Sequence, residues 1–307
     1  MSANRMANFI IAGTDKAGTT SIFVYLSQHA EVCASSEKET NFFRREFAAD
    51  ESDCVSEYAQ YFALCTDSTP ILTEASPAYL READSVVPRM HDLVPDVKLL
   101  FILRDPVARL YSSYNFHVGR LNIPEDLSFS QYVADCQQFE RQQACNNGAD
   151  LDDWYLKVLG SGCYARDLKT YTGSFPASNI KVMFFEELQD DPKKFMTDLS
   201  DFLSIDREFW SDFDFRKENV TFSARNPLLQ KIALRVNSAA EKTLRRRPGL
   251  KRGLANLYKK INQKREGYEQ MPLAIEQELQ DFYASANREL SEMLGRELPP
   301  TWSRSQS

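Results

Sequence analysis

The sequence predicts an α/β fold in which a central parallel sheet lies between layers of helices, with a mostly helical C-terminal third. Two observations predict this class. Short apolar runs typical of strands alternate with helical patterns up to about residue 205, and beyond that point the strand signals stop. The strongest run, VKLLFIL at residues 97–103, has the composition of a central strand covered on both faces.

The individual elements follow from these patterns. Strands are predicted at residues 8–12, 70–74, 97–103 and 180–185, and helices at residues 20–29, 107–118, 192–203 and 273–294. The last helix is amphipathic, and its predicted apolar stripe is Ile275, Leu279, Phe282, Ala286, Leu290 and Leu294. Residues 1–307 are predicted to form one domain, in which residues 205–307 are mostly helical and include a basic insertion at 245–265.

Composition and charge exclude several classes of protein. The net charge of −7 argues against nucleic-acid binding. The apolar run at residues 9–12 is too short for a signal peptide or a membrane span, so we expect no transmembrane segment and a cytoplasmic location. The six cysteines show no CxxC pair and no histidine at metal-binding spacing, so free thiols are expected.

The basic insertion at 245–265 holds nine Lys/Arg residues and no acid. One interpretation is a solvated excursion between helices, because blocks of like charge repel one another. The other is a helical docking surface for an anionic partner, such as an acidic carrier protein. A membrane surface is disfavoured because no second anchor is visible. The residues that would meet such a partner are Arg245, Arg246, Arg247, Lys251, Arg252, Lys259 and Lys260.

A phosphate-binding loop is predicted at residues 13–20, which read GTDKAGTT between the first strand and the first helix. The helix N-terminus there would direct backbone N–H groups and a positive dipole end at an anion. The lysine of the loop is Lys16, whereas a P-loop NTPase places it directly after the second glycine, where Thr19 stands. The alternative is an ordinary turn between a strand and a helix.

A second anion site is predicted where the strand at 97–103 ends. A kinase would place an acid there to help hold Mg²⁺, but Arg104 comes first. This arrangement suits an anion better than a metal. A group with fewer charges than a phosphoryl group, such as a sulfuryl group, can be bound by lysine and backbone donors without a metal. Arg104 and Ser112 could flank one phosphate across the helix that begins near Pro106. The alternative for Arg104 is an ion pair with Asp105 or a contact with a helix C-terminus.

These motifs resemble those of sulfotransferases that use 3'-phosphoadenosine-5'-phosphosulfate (PAPS), nearer the bacterial and heparan-sulfate-type branch. GTDKAGTTS resembles the 5'-phosphosulfate loop of that family and ILRDPVARLYSSY its 3'-phosphate motif. EKETNFF at 37–43 and EASPAYL at 74–80 are similar to its KE-x-H-F-F and KSPxY segments. GCY at 162–164, FFEEL at 184–188 and Trp302 match later landmarks.

The resemblance implies a P-loop NTPase-like three-layer fold, PAPS as co-substrate and no metal. Lys16 would stabilise the leaving phosphate, and Glu39 would be the general base. The implied cofactor-binding residues are Lys16, Ala17, Gly18, Thr19, Thr20, Ser21, Arg104, Ser112 and Tyr164.

Two departures from the family pattern weaken a polysaccharide acceptor: Asn41 stands at a histidine position and Ala75 at a lysine position. The loop that covers the adenine in this family is not recognisable either. The residues that could replace it are Arg216, Lys217 and Arg225.

The general base has a second candidate in His117, whose ordinary pKa lies near neutrality. Glu39 is favoured, with Glu37 as the like charge that would raise its basicity. The aromatic residues that could line an acceptor pocket are Phe42, Phe43, Tyr79, Tyr114 and Phe116.

The predicted reaction is sulfuryl transfer to a hydroxyl or an amine of a small metabolite or a carrier-bound acceptor, as in secondary metabolism. Two alternatives stay open: a P-loop kinase that uses ATP, and a non-catalytic anion-binding or scaffold protein of the same fold.

Overall fold

The computed structural model describes residues 5–47, 51–124, 126–145, 154–215 and 270–303. The chain divides into two units. The first unit comprises Met1–Arg109, Ser161–Asn219 and Leu279–Ser307, and the second comprises Leu110–Gly160 and Val220–Glu278. The basic insertion and the candidates Arg216, Lys217 and Arg225 lie outside the described residues.

A parallel sheet of five strands forms the centre of the first unit. Its strands are β1 (Phe9–Gly13), β2 (Val32–Ala34), β3 (Ile71–Ala75), β4 (Lys98–Leu103) and β5 (Ile180–Phe184), in the order β2-β3-β1-β4-β5. All four strand pairs are parallel. The carboxyl ends of all five strands therefore lie at the same edge of the sheet.

The described helices follow in chain order: α1 (Thr19–Leu26), α2 (Glu51–Ala59), α3 (Ala78–Arg81), α4 (Ala83–Leu93), α5 (Pro106–Gly119), α6 (Phe129–Cys145), α7 (Tyr164–Thr172), α8 (Phe185–Asp190), α9 (Pro192–Leu203) and α10 (Leu273–Leu294). Short 3₁₀ turns lie between several of them.

Each face of the sheet has its own hydrophobic core, because successive strand residues point to opposite faces. On one face Ile10 and Phe101 pack with residues of α4 and α7, such as Met90 and Leu168. On the other face Ile11 and its neighbours pack with residues of α1 and α9. The predicted three-layer α/β fold is confirmed.

The described part of the second unit includes most of α5 and all of α6. Residues of α6 at helical spacing are buried, and Tyr111 of α5 packs edge-on to Phe129 with ring centroids 4.8 Å apart. Tyr132 donates from its hydroxyl to the carbonyl of Tyr155 at 2.7 Å. The ring contact thus joins α5 to α6, and the Tyr132 hydroxyl joins α6 to the turn at Tyr155.

The cysteine prediction was wrong for one pair. Cys33 of β2 and Cys65 form a disulfide with a Cα–Cα distance of 5.7 Å. The two lie far apart in sequence, with a separation of 32, so no CxxC pattern marked them. Among the described residues, Cys54, Cys136 and Cys163 take no part in a disulfide.

Candidate active site

The phosphate-binding loop lies at the carboxyl end of β1, which is the middle strand of the sheet. Lys16 and Gly18 have left-handed backbones, with φ of 63° and 80°. A Cβ on Gly18 would meet the side chains of Leu188 and Phe185 at 3.0 Å, so glycine suits this position on both counts. Thr14 donates its backbone N–H to the carbonyl of Ile102 at 2.9 Å, which fixes the loop to β4.

Helix α1 begins directly after this loop. Its N-cap residue Gly18 has no side chain to cap the helix, and the bond from the N–H of Ile22 to the carbonyl of Gly18 opens the helical series. The N–H groups of Thr19, Thr20 and Ser21 precede that bond, where an α-helix has no internal acceptors for its donors. This arrangement fits the anionic 5' end of PAPS.

Arg104 joins the phosphate-binding loop from β4. Its Nη1 donates to the carbonyl of Lys16 at 2.8 Å, and its guanidinium lies 4.8 Å from the ring centroid of Phe185. Burial lowers the pKa of Arg104 from its usual value, against the opposing effect of Glu186. The structure therefore brings Arg104 and Lys16 together in one unit.

Tyr164 binds the backbone of Arg104. This tyrosine is buried, and its hydroxyl donates to the carbonyl of Arg104 at 2.7 Å. Burial raises the pKa of Tyr164, so it is a neutral donor. A role for Tyr164 in cofactor binding stays a prediction.

An acid within the loop is balanced by two arginines that the sequence analysis did not identify. Asp15 lies 3.3 Å from Arg81 and 3.5 Å from Arg109, which is fully buried on α5. Burial raises the pKa of Asp15, but Arg109 and Arg81 outweigh this effect and hold the pKa below its ordinary value. Because its charge is balanced, Asp15 does not oppose an anion in the loop.

Two further acids, Asp105 and Glu186, lie beside Arg104. Glu186 accepts the backbone N–H of Asp105 at 3.0 Å, and Asp105 accepts that of Val107 at 3.1 Å. Burial, with a contribution from the charge of Glu186, raises the pKa of Asp105 to about 6. Asp105 thus caps the start of α5 and sets the direction in which the chain leaves Arg104.

Glu39 lies on the segment that follows β2, at the same edge of the sheet. Its backbone is left-handed, with φ of 61°, and its N–H donates to the carbonyl of Ala75 at 2.9 Å. Ser76 donates its N–H to Ile11 at 3.1 Å, so this segment and the end of β1 are linked through the end of β3.

The surroundings of Glu39 differ from the prediction. Its carboxylate pairs with the ammonium of Lys38 at 2.6 Å, and the glutamate side chain is 54% exposed. A cation, rather than the predicted like charge of Glu37, is therefore its nearest described partner.

The predicted aromatic lining is wrong for three residues. Phe42, Phe43 and Tyr79 are fully buried in the core of the first unit, so they do not face an open pocket. Aromatic rings bury large apolar area, which makes the core their commonest place.

Ser112 and His117 belong to the second unit, on α5. The imidazole of His117 is 5% exposed, and its Nδ1 lies 3.1 Å from the amide nitrogen of Asn122. Tyr114 on the same helix donates to the carbonyl of Leu127 at 2.6 Å. The roles predicted for Ser112 and His117 stay predictions.

Comparison with known proteins identifies the family. A model described as a sulfotransferase domain matches residues 7–289. The crystal structure of a sulfotransferase from Alicyclobacillus acidocaldarius is similar with a TM-score of 0.65 and 25% identity, covering 98% of this chain and 100% of that one.

Two curated relatives are similar in sequence. The membrane-associated sulfotransferase kil1 of Dictyostelium discoideum is 23% identical over 295 residues, covering 74% of this chain and 61% of that protein. The bifunctional heparan sulfate N-deacetylase/N-sulfotransferase of Drosophila melanogaster is 27% identical over 214 residues, covering 65% of this chain and 20% of that protein. The chain thus spans less than two thirds of either relative. The match over residues 7–289 shows that this chain belongs to the sulfotransferase family.

Proposed function

We propose that this chain transfers a sulfuryl group from PAPS to a hydroxyl or an amine of an acceptor. The observation that carries the proposal is the loop at residues 14–18, where Lys16, the start of α1 and Arg104 meet. Such a loop binds the 5' anion through a lysine and backbone donors, and Arg104 beside it would bind the 3'-phosphate. Membership of the sulfotransferase family favours this reaction over a kinase and over a non-catalytic scaffold.

The proposed roles follow from the chemistry of transfer. Sulfur gains a bond to the acceptor oxygen or nitrogen and loses its bond to the phosphate oxygen, and the acceptor gives up a proton. Lys16 would stabilise the negative charge on the departing phosphate. Glu39 would take the proton, with His117 as the alternative base. Adenosine 3',5'-bisphosphate would leave.

The first prediction concerns the nucleotide. Calorimetry should show adenosine 3',5'-bisphosphate binding far more tightly than 5'-AMP, because 5'-AMP lacks the 3'-phosphate that Arg104 would bind. Arg104→Ala should weaken that binding by about 2–4 kcal/mol, the size of a lost charge-assisted pair. Incubation of a cell extract with PAPS should add the mass of one sulfuryl group to the acceptor, also in the presence of EDTA if the reaction needs no metal.

The matched control is Arg207→Ala, since Arg207 is an exposed arginine whose ion-pair partners are Asp201 and Glu208. It should leave nucleotide affinity unchanged. Equal affinity for the two adenylates would remove the 3'-phosphate assignment, and Mg²⁺-dependent turnover of ATP would support the kinase instead.

The acceptor is proposed to be a small metabolite or a carrier-bound group, with a role in secondary metabolism. Ala75 and Asn41 stand where lysine and histidine would support a polysaccharide acceptor. The basic insertion is proposed to dock the anionic partner that carries the acceptor, on the strength of its nine positive charges and no acid.

The second prediction tests this docking surface. Reversing Arg245, Arg246, Lys259 and Lys260 to glutamate should raise the KM of the acceptor and flatten its dependence on salt, because exposed charges are screened beyond about 8 Å at physiological ionic strength. Affinity for adenosine 3',5'-bisphosphate should stay unchanged. Acceptor kinetics that are unaltered across a salt series would leave the insertion as a solvated excursion.

The cytoplasmic location stays a prediction. Within the described residues, no helix combines the length and the apolar character needed to cross a bilayer. The disulfide between Cys33 and Cys65 opposes a cytoplasmic location, because disulfides are rare in reducing compartments.

A further inference from the structure

A fully buried carboxylate lies beneath the segment that carries Glu39. Glu74 is the second-last residue of β3 and is 0% exposed. Its carboxylate accepts hydrogen bonds from four hydroxyls: Tyr58 at 2.8 Å, Tyr79 at 3.2 Å, Ser76 at 2.9 Å, and Thr40.

Three of these hydroxyls also accept backbone N–H groups from three consecutive residues. Asn41 donates to Ser76 Oγ at 3.1 Å, Phe42 donates to Thr40 Oγ1 at 3.3 Å, and Phe43 donates to Tyr79 Oη at 3.4 Å. The backbone directly after Glu39 is thus connected to one carboxylate through three hydroxyls. Tyr58 is the exception, because its hydroxyl donates to Glu74 and does not bond to residues 41–43.

A buried charge destabilises the folded protein unless its hydrogen bonds are satisfied. Replacing such a charge by an apolar residue often leaves the protein at least as stable, so stability alone does not explain Glu74. Burial raises the pKa of Glu74, while the four hydroxyls oppose that shift. A hydroxyl that donates to an anion is polarised and becomes a stronger acceptor for a backbone N–H. The arrangement therefore strengthens the hydrogen bonds that fix residues 41–43.

The backbone next to these hydrogen bonds has an unusual conformation. Glu39 and Asn41 both hold left-handed conformations, with φ of 61° and 49°. Residues other than glycine persist there when the surrounding structure holds them, and they cluster at active sites. The hydrogen bonds around Glu74 act on the residues directly after Glu39.

We propose that Glu74 is a positioning residue that holds the segment 39–43, and with it the base Glu39, through the hydroxyls of Thr40, Ser76 and Tyr79. The inference rests on the proposed role of Glu39 in proton removal. It assigns to Glu74 no contact with either substrate.

The test compares two variants that each remove one hydroxyl from the same carboxylate. Thr40→Val breaks a connection to the segment, whereas Tyr58→Phe keeps the aromatic ring and removes a hydroxyl that, among the described residues, bonds to Glu74 and not to the segment. We expect Thr40→Val to lower kcat about 10- to 100-fold, the effect of a slightly misplaced catalytic group. Tyr58→Phe should retain kcat, and Thr40→Ser should rescue it. Glu74→Gln should lower kcat at least as much as Thr40→Val, with KM for PAPS unchanged.

Hydrogen exchange provides a readout that needs no acceptor. The peptide that spans residues 39–43 should exchange faster in Thr40→Val than in Tyr58→Phe, while both variants bind adenosine 3',5'-bisphosphate as the unmodified chain does. Equal exchange and equal kcat in the two variants would overturn the proposal, even if Glu74→Gln does not fold. If the unmodified chain fails to bind that nucleotide, the proposed function fails, and the exchange result still decides the role of Glu74.

Discussion

Lys16 and Glu39, the two residues expected to perform the chemistry, share an unusual backbone conformation. Their φ angles are 63° and 61°, in the left-handed region that side chains rarely adopt. Each such residue costs on the order of 1–3 kcal/mol and is retained where function or surrounding contacts demand it. Ser204 has a local explanation, because it ends α9 as a left-handed cap. The conformations of Lys16 and Glu39 support the roles proposed for them.

The third prediction concerns the two residues expected to act in the transfer step, Lys16 and Glu39. Lys16→Ala should lose about 10²–10³ in kcat, the loss typical of one electrostatic donor. Glu39→Gln should lose about 10²–10⁴ while nucleotide binding survives, because a general base acts on the acceptor. Steady-state kinetics and calorimetry on the same preparations measure both effects.

The control for Glu39→Gln is Glu37→Gln, an exposed acid two residues earlier. It should keep activity close to that of the unmodified chain. If Glu39→Gln keeps its activity and His117→Ala loses it, the histidine is the base and the assignment to Glu39 is wrong.

At the residue scale, motifs in the sequence point to site residues whose roles stay predictions, and they do not point to residues whose role depends on burial. Lys16 and Arg104 were predicted to bind one ligand, and they lie together. Glu74 was not singled out, because an acid in a strand is usually expected on a solvated face. Strand β3 is buried throughout, so its glutamate lies inside the core. Arg109 was missed for the same reason, since it is fully buried beside Asp15.

At the element scale, helix ends were predicted well where the sequence carries explicit signals. Helix α9 begins at Pro192, as predicted, because Pro192 suits its first turn and Asp191 accepts the N–H of Lys194 at 2.9 Å. Helix α10 spans Leu273–Leu294 as predicted, following a proline whose carbonyl accepts the N–H of Ile275 at 3.0 Å.

The apolar stripe of α10 and the edge strand β2 were predicted less well. Phe282 is 42% exposed, and Tyr283 is buried in its place beside Gly162. Helical periodicity gives a broad face, and tertiary contacts decide which of two adjacent aromatic residues is covered. β2 was missed because it has only three residues, and its pairing with β3 defines it as a strand. No local pattern in so short a run indicates a strand.

At the scale of the whole molecule, the disulfide joins the edge strand to the chain that leads into β3. β2 pairs only with β3 among the described strands, and Cys33 lies at its centre. The bond to Cys65 closes a loop with a sequence separation of 32. It therefore restrains the unfolded chain around the segment that carries Glu39.

The last prediction concerns the stability that this bond provides and the compartment in which the chain works. In the chain-entropy account, a loop of this size contributes about 3–4 kcal/mol to the free energy of unfolding. Dithiothreitol should therefore lower the urea midpoint of the unmodified chain and leave that of a Cys33→Ser/Cys65→Ser variant unchanged, whereas Cys54→Ala should keep the response to reductant. The redox state of Cys33 and Cys65 in cells tests the location. It is measured by alkylating free thiols at the moment of lysis and analysing the peptides by mass spectrometry. Linked Cys33 and Cys65 peptides would contradict a cytoplasmic location, and two free thiols would support it, because the reducing cytosol keeps thiols reduced.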